Sequence, residues 1–238
     1  MPPLAPRQPD LKRHARHVVS ALISLYPEPR CALRHESPFQ LLVATILSAQ
    51  CTDARVNLVT PTLFAKYPDP ASLAASDPDV LESIIHSTGF FRAKARNLRL
   101  MASTLVNRHG GEVPESLDAL TALPGVGRKT ANVVLGNAFG IASGVVVDTH
   151  VKRLAFRLGL TSSQSPEVIE RDLVSLIPRR EWVDFSHRLI EHGRKVCIAR
   201  APRCESCELL KLCPRMGVAR KSTSTGNRLS RSNDSGLS

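Results

Sequence analysis

Residues 117–139 read LDALTALPGVGRKTANVVLGNAF, and few backbone arrangements accommodate them. Leu117 and Leu120 suit one side of a short helix, the turn from Pro124 to Gly127 cannot continue it, and a helical pattern resumes at Arg128. The stretch therefore predicts two helices joined by a tight glycine turn, a helix-hairpin-helix. Gly125 and Gly127 permit positive φ and close approach of another molecule to the backbone. With Val126 and Arg128 beside them, the free N–H groups opening the second helix offer a place for a phosphate oxygen. A plain turn between packed helices would use the same residues, so the hairpin by itself does not decide function.

Lys129 adds a second constraint. It lies in the first turn of the second helix, where the backbone dipole favours anions and disfavours cations by up to about 1 kcal/mol. That placement suggests a phosphate nearby, a lysine that works as the neutral amine, or both; a solvated surface lysine is the bland alternative. Lowering an ordinary lysine pKa of about 10.4 by three units takes about 4 kcal/mol. The helix end supplies about 1 kcal/mol of it, so desolvation or a proton acceptor has to supply the rest. Asp148, in VVVDTHV, is the nearest downstream carboxylate of interest. It is placed to cap a helix starting at Thr149, and the same carboxylate could stabilise a positively charged sugar.

The rest of the chain repeats helical signals. Phe39, Leu42, Val43, Ile46 and Leu47 in FQLLVATILSAQ follow the stripe of a helix buried on one side. Asp77 offers an N-cap with Pro78 at the first helical position and Gly89 as a stop. A basic helix follows, with Arg92, Lys94, Arg96 and Arg99 around an apolar face of Leu98, Met101 and Leu105. Leu11, Val18, Leu22 and Leu25 make an earlier amphipathic helix, and Ser165 with Pro166 starts a later one lined by Ile169, Leu173, Leu176 and Ile177. The only β-like run, Gly144 to Val151, is too short for a sheet. The fold class is all-α, short helices joined by Pro and Gly turns, ending in a serine-rich basic tail expected to be disordered.

Charge narrows the partner. The 238 residues carry 32 Lys and Arg against 21 Asp and Glu, a formal charge of +11, which favours a polyanion. Aromatics are only 4% of residues, too few for a platform that stacks single-stranded bases. Duplex DNA gripped through its phosphates fits better. No segment reaches the roughly 18 apolar residues of a membrane span, and the apolar run at 18–26 lacks a following cleavage site, so neither a membrane nor export is expected.

CIARAPRCESCELLKLC places Cys197, Cys204, Cys207 and Cys213 in the spacing C-x6-C-x2-C-x5-C. Four thiolates in one short loop make a metal site, and either tetrahedral zinc or a [4Fe-4S] cluster suits them. Without an export signal, disulfides are not expected. Cys31 and Cys51 read as ordinary buried thiols, and His187 and His192, five apart, do not share a helical face.

LPGVGRKTA, VDTHV and the four-cysteine loop, in that order, resemble the endonuclease III family of DNA glycosylases. LLVATILSAQCTD at 41–53 and STGFFRAKARNL at 87–98 extend the resemblance, which covers about residues 20–214. It implies a helix-hairpin-helix glycosylase fold in two lobes. Residues 31–142 would form a six-helix barrel, residues 1–30 and 143–214 an iron-sulfur lobe, and residues 215–238 the tail. It implies Lys129 as nucleophile, Asp148 as catalytic aspartate and a [4Fe-4S] cluster on the four cysteines. The implied substrate is an oxidised pyrimidine in damaged double-stranded DNA, flipped from the stack. Gln50 and Phe90 match the residues that fill the gap, where many relatives carry leucine at the second position. The implied reaction is base excision followed by β-elimination at the abasic site. A monomer in a bacterial cytosol, associated with the nucleoid, is expected; the acid-poor N-terminus also suits organelle import.

Two other readings share these features. An adenine-mismatch glycosylase would use a helix carboxylate, yet residues 39–52 contain no Asp or Glu, and such relatives usually carry a further C-terminal domain. A non-catalytic DNA-binding module would use the hairpin to grip phosphate but has no need to pair Lys129 with Asp148.

Overall fold

A computed structural model describes residues 8–218. Nearly all of the basic tail lies outside the described residues. Among the described residues the structure is all-helical, with no strand. The order is α1 (Gln8–Leu25), α2 (Pro38–Leu47), α3 (Asp53–Lys66), α4 (Pro70–Ala74), α5 (Pro78–Ile85), α6 (Phe91–His109) and α7 (Leu117–Thr121). Then come α8 (Arg128–Phe139), α9 (Thr149–Arg157), α10 (Pro166–Leu176) and α11 (Trp182–Lys195).

The helix starts are set by the expected chemistry. Asp77 Oδ1 accepts hydrogen bonds from the N–H groups of Asp79 and Val80, and Pro78 occupies the first turn. Thr52, Asp69 and Ser116 cap α3, α4 and α7 in the same way, each such cap contributing about 1 kcal/mol. The segment from Gly144 to Asp148 is irregular backbone that runs into α9.

Apolar side chains gather into two cores. The first draws on residues from Leu33 to Leu135, in α2 to α8. The second joins α1 to the chain beyond Val145, through Val18, Leu22, Leu154, Phe185 and Leu209. One expectation needs correcting here. The apolar stripe of α2 predicts burial on one side, but every residue from Leu41 to Leu47 is buried. Small Ala44 and Thr45 complete the second face, and Thr45 satisfies its hydroxyl by donating to the Leu41 carbonyl. α2 is therefore the central helix of the first core, packed on α8, α3 and α6.

Polar contacts tie the two cores together. Arg194 in α11 pairs with Asp53 at the start of α3 at 2.6 Å. His187 in α11 meets Asn137 Oδ1 in α8 at 2.7 Å, and the backbone N–H of Val146 donates to Ser186 Oγ. These bonds fix α8 and the segment leading to α9 against α11.

Candidate DNA interface and catalytic site

The hairpin forms as expected. Leu120, Leu123 and Val126 are buried and anchor it in the first core. Gly125 has φ +77, and a Cβ there would lie 2.9 Å from Cβ of Asn97, so both backbone conformation and space demand glycine. Gly127 differs: it is extended, at φ −91, and nothing lies within 4 Å of where its Cβ would be. No internal contact requires glycine there. The Val126 side chain turns into the core, leaving only its backbone for a ligand.

Gly127 caps α8 and no side chain bonds the N–H groups of its first turn. Lys129 is exposed in that turn. Arg128 is more committed than the sequence suggested, because Glu170 of α10 holds its guanidinium through Nε and Nη2 at 3.1 Å each. Asn132 donates to the same carboxylate at 3.1 Å. Asp148 heads the next helix: its Oδ1 accepts from the N–H of Val151 at 2.7 Å, and no described residue hydrogen-bonds Oδ2. His150 and His187 lie in its field. Burial holds both imidazoles below their usual pKa, with Asp148 pulling the other way. The two helix heads thus present an exposed amine and a fixed carboxylate with one oxygen free.

Gln50 and Phe90 share an uncommon backbone state. Both are non-glycine residues in the left-handed region, at φ 54 and φ 48, a conformation that costs such residues about 1–2 kcal/mol. Both are exposed, Phe90 to 65%, so neither is held there by burial of its own side chain. α2 stops at Leu47, and Gln50 lies in the turn after it. Sequence reading missed Lys94, counted among the exposed basic residues of α6. It is only 5% exposed, and its Nζ donates to the carbonyls of Leu47 and Thr88 at 2.8 Å each. Its spacing on the same face as Leu98, Met101 and Leu105 was the available signal.

All four cysteines line one cavity of about 30 Å³, together with Arg157, His192 and Leu209. Their thiols are free, and among the described residues no three His, Cys, Asp or Glu side chains converge as one metal ion would require. Arg157, buried, donates to the carbonyls of Ile198 and Ala199 at 2.9 and 2.7 Å and to Sγ of Cys197 at 3.2 Å. His192 lies between Tyr26 and Cys207, with ring nitrogens 2.9 Å from the phenol oxygen and 3.5 Å from the sulfur. Burial, then the charge of Glu191, pushes the Tyr26 phenol up to about 12. His187 and His192 make separate contacts, the first with Asn137 and the second with Tyr26 and Cys207. Cys31 and Cys51 pack against the first core.

An all-helical fold with a glycine hairpin at one core and a cysteine loop on the other defines a class of DNA repair protein. The family model described as HhH-GPD superfamily base excision DNA repair protein matches residues 43–179. Endonuclease III of Synechocystis sp. is 56% identical over 203 residues, 85% of this chain and 93% of that protein. Endonuclease III of Escherichia coli K12 is 43% identical over 187 residues, 79% of this chain and 88% of that protein. A solved non-covalent Endonuclease III–DNA complex matches with a TM-score of 0.82 at 45% identity, covering 86% of this chain and 95% of that one. A trapped Endonuclease III–DNA covalent intermediate matches with the same score and identity, covering 96% of its chain. The chain belongs to the endonuclease III family of helix-hairpin-helix DNA repair proteins.

Proposed function

We propose that this protein is a bifunctional DNA glycosylase and abasic-site lyase of base excision repair that removes oxidised pyrimidines from duplex DNA. The observation that carries the assignment is the pair of helix heads: an exposed Lys129 in the first turn of α8, uncapped by any side chain, and Asp148 fixed at the head of α9. The uncapped N–H groups and the open space at Gly127 suit a DNA phosphate, which would set the sugar against the amine. The damaged base leaves the stack at a cost of a few kcal/mol, and Gln50 and Phe90 occupy the gap.

In this reading Nζ of neutral Lys129 forms a bond to C1′ as the glycosidic bond breaks, and the base departs with the bonding electrons and takes up a proton. Asp148 stabilises the positive charge that develops on the sugar. The sugar ring opens and the amine nitrogen loses its proton, giving a Schiff base. Removal of a C2′ proton then drives out the 3′ phosphate with its electron pair, cleaving the strand. The chain supplies the nucleophile, Lys129, and the carboxylate, Asp148, in keeping with nucleophilic catalysis by lysine, and water takes the C2′ proton and protonates the departing base.

Four thiols lining one cavity suit a [4Fe-4S] cluster, which Cys197, Cys204, Cys207 and Cys213 would hold. Its contribution would be to fold the loop that carries Arg200, Arg203 and Lys211. Among the described residues no helix is long and apolar enough to cross a membrane. A monomer acting on DNA in a bacterial cytosol is the arrangement proposed.

The test is borohydride trapping on a duplex with one abasic site. The unaltered protein is expected to give a covalent adduct and Lys129→Gln none, while the variant still binds the duplex. An adduct with Lys129→Gln would move the nucleophile elsewhere, and binding without any adduct from the unaltered protein would leave a DNA-binding module.

A further inference from the structure

We infer that Lys94 is a positioning residue that sets the spacing and backbone state of Gln50 and Phe90. The inference rests on the reading of those two residues as gap-filling groups. Lys94 belongs to α6, yet its amine is buried and reaches two carbonyls that belong to different parts of the chain. One is Leu47 at the end of α2, three residues before Gln50; the other is Thr88, two residues before Phe90. The turns carrying the two exposed side chains are thus joined through one nitrogen.

The chemistry of the joint is specific. Leu47 lies in the last turn of α2 and Thr88 closes the 3₁₀ turn His86–Thr88, so each carbonyl lacks the next helical N–H that would have satisfied it. A helix C-terminus carries partial negative charge, and an ammonium placed there is attracted to it. Lys94 meets two such ends at once. Burial alone would push its pKa down, and the carbonyl oxygens, which accept but cannot donate, return part of the lost solvation. A surface lysine serving only to attract DNA would not be turned inward; Arg92, Arg96 and Arg108 of the same helix are exposed and suited to that work.

The consequence follows from the left-handed residues. Gln50 and Phe90 adopt φ 54 and φ 48 while exposed, so nothing in their own side chains holds them there. Local strain of this kind persists only where the surroundings over-determine it. The Lys94 bridge supplies that determination from below, and the N–H of Lys94 also donates to the Phe90 carbonyl at 3.0 Å. Without the amine, each turn is free to relax to the ordinary right-handed region, and the two tips no longer enter the duplex together.

Lys94→Met, which keeps the length and removes the donors, tests this. Single-turnover excision of thymine glycol from a matched duplex is expected to fall about tenfold or more, since a small misplacement of a positioning group has effects of that order. Strand cleavage at a preformed abasic site, where no base remains to unstack, is expected to change less than about threefold. A 2-aminopurine beside the lesion should lose most of its enzyme-induced fluorescence rise. Lys94→Arg, with donors for both carbonyls, should recover part of the excision rate. Should Lys94→Met not fold, Lys94→Gln, which retains a donor for one carbonyl, must show the same imbalance. Equal losses on both substrates, or no loss on either, would overturn the inference. If the unaltered protein unstacks the reporter yet is never trapped by borohydride, the Lys129 chemistry fails while this inference stands. Normal trapping with balanced losses in the Lys94 variants would sink this inference alone.

Discussion

Glu170 in α10 grips Arg128 at the head of α8, with Nε and Nη2 each 3.1 Å from a carboxylate oxygen. The bond crosses between the two cores and fixes the hairpin helix by its first residue. Asn132 joins the same carboxylate, and Ser143 donates to Asn132 Oδ1 at 2.8 Å. Gly144 is packed so tightly under this network that a Cβ would overlap Glu170 Oε1 and lie 2.7 Å from Asn132 Nδ2.

Gly144→Ala is therefore expected to displace Glu170 and loosen α8. Overpacking of this kind costs about 1–3 kcal/mol, which for a chain of this size lowers Tm by several degrees, at about 2–4 °C per kcal/mol. Scanning calorimetry of the variant checks it; an unchanged Tm would show that the network gives way freely. DNA affinity should fall as well, because the phosphate-facing turn of α8 loses its brace.

Phe90→Gly separates strain from function. Glycine adopts φ 48 without penalty, which offsets its greater entropy in the unfolded chain, about 0.4–1 kcal/mol. Phe90 is 65% exposed, so little burial is lost. Stability should stay within about 1 kcal/mol, while excision from a matched duplex falls and cleavage at an abasic site persists. A large loss of stability in denaturant titration would make Phe90 a packing residue instead.

Much of this was legible beforehand, and the exceptions have a common cause. The caps at Asp77 and Asp148 and the turn at Gly125 rest on neighbours in sequence, and all three took their expected form. Lys94, Arg157 and Glu170 owe their roles to groups 40 or more residues away, as in the Lys94–Leu47 bond with its separation of 47, and Gly144 to side chains well outside its own turn. For Lys94 the only local sign is its spacing on the face of Leu98, Met101 and Leu105, which does not reveal the two carbonyls it reaches. α2 likewise showed a one-sided stripe, and only the packing of α8, α3 and α6 around it covered the remaining faces.

For the cysteine loop, protein purified without oxygen is expected to be brown and to contain iron and sulfide. Cys204→Ser should bleach it and weaken DNA binding, because metal binding and local folding are coupled. Arg157→Met should speed cluster loss on exposure to chelator, since the guanidinium ties three successive residues, Cys197, Ile198 and Ala199, to α9. Stoichiometric zinc in place of iron would refute the cluster assignment.

Acid should destabilise the second core through its histidines. Burial holds His150 and His187 below the usual 6.5, so around and below that pH the unfolded chain takes up protons that the folded chain does not. Stability is then full above about pH 6.5 and falls as pH drops through it, toward the depressed folded pKa values. Urea midpoints measured between about pH 8 and pH 5 should show this fall, and His187→Gln should flatten it. A slope of opposite sign would mean that the folded imidazoles are charged.

Asp148 has two roles that substitution can separate. Its Oδ1 caps α9 by accepting from the N–H of Val151, and asparagine caps a helix about as well as aspartate. Asp148→Asn should therefore keep the fold, whereas Asp148→Ala should cost about 1 kcal/mol from the lost cap. Base excision needs the negative charge against the developing sugar cation, so both variants should excise slowly and to a similar extent. Borohydride trapping on a preformed abasic site should suffer less in either, because the base has already gone. If Asp148→Asn excises at the unaltered rate, the carboxylate serves the helix alone. If trapping and excision fall together in both, Asp148 acts on the amine of Lys129 and not on the sugar.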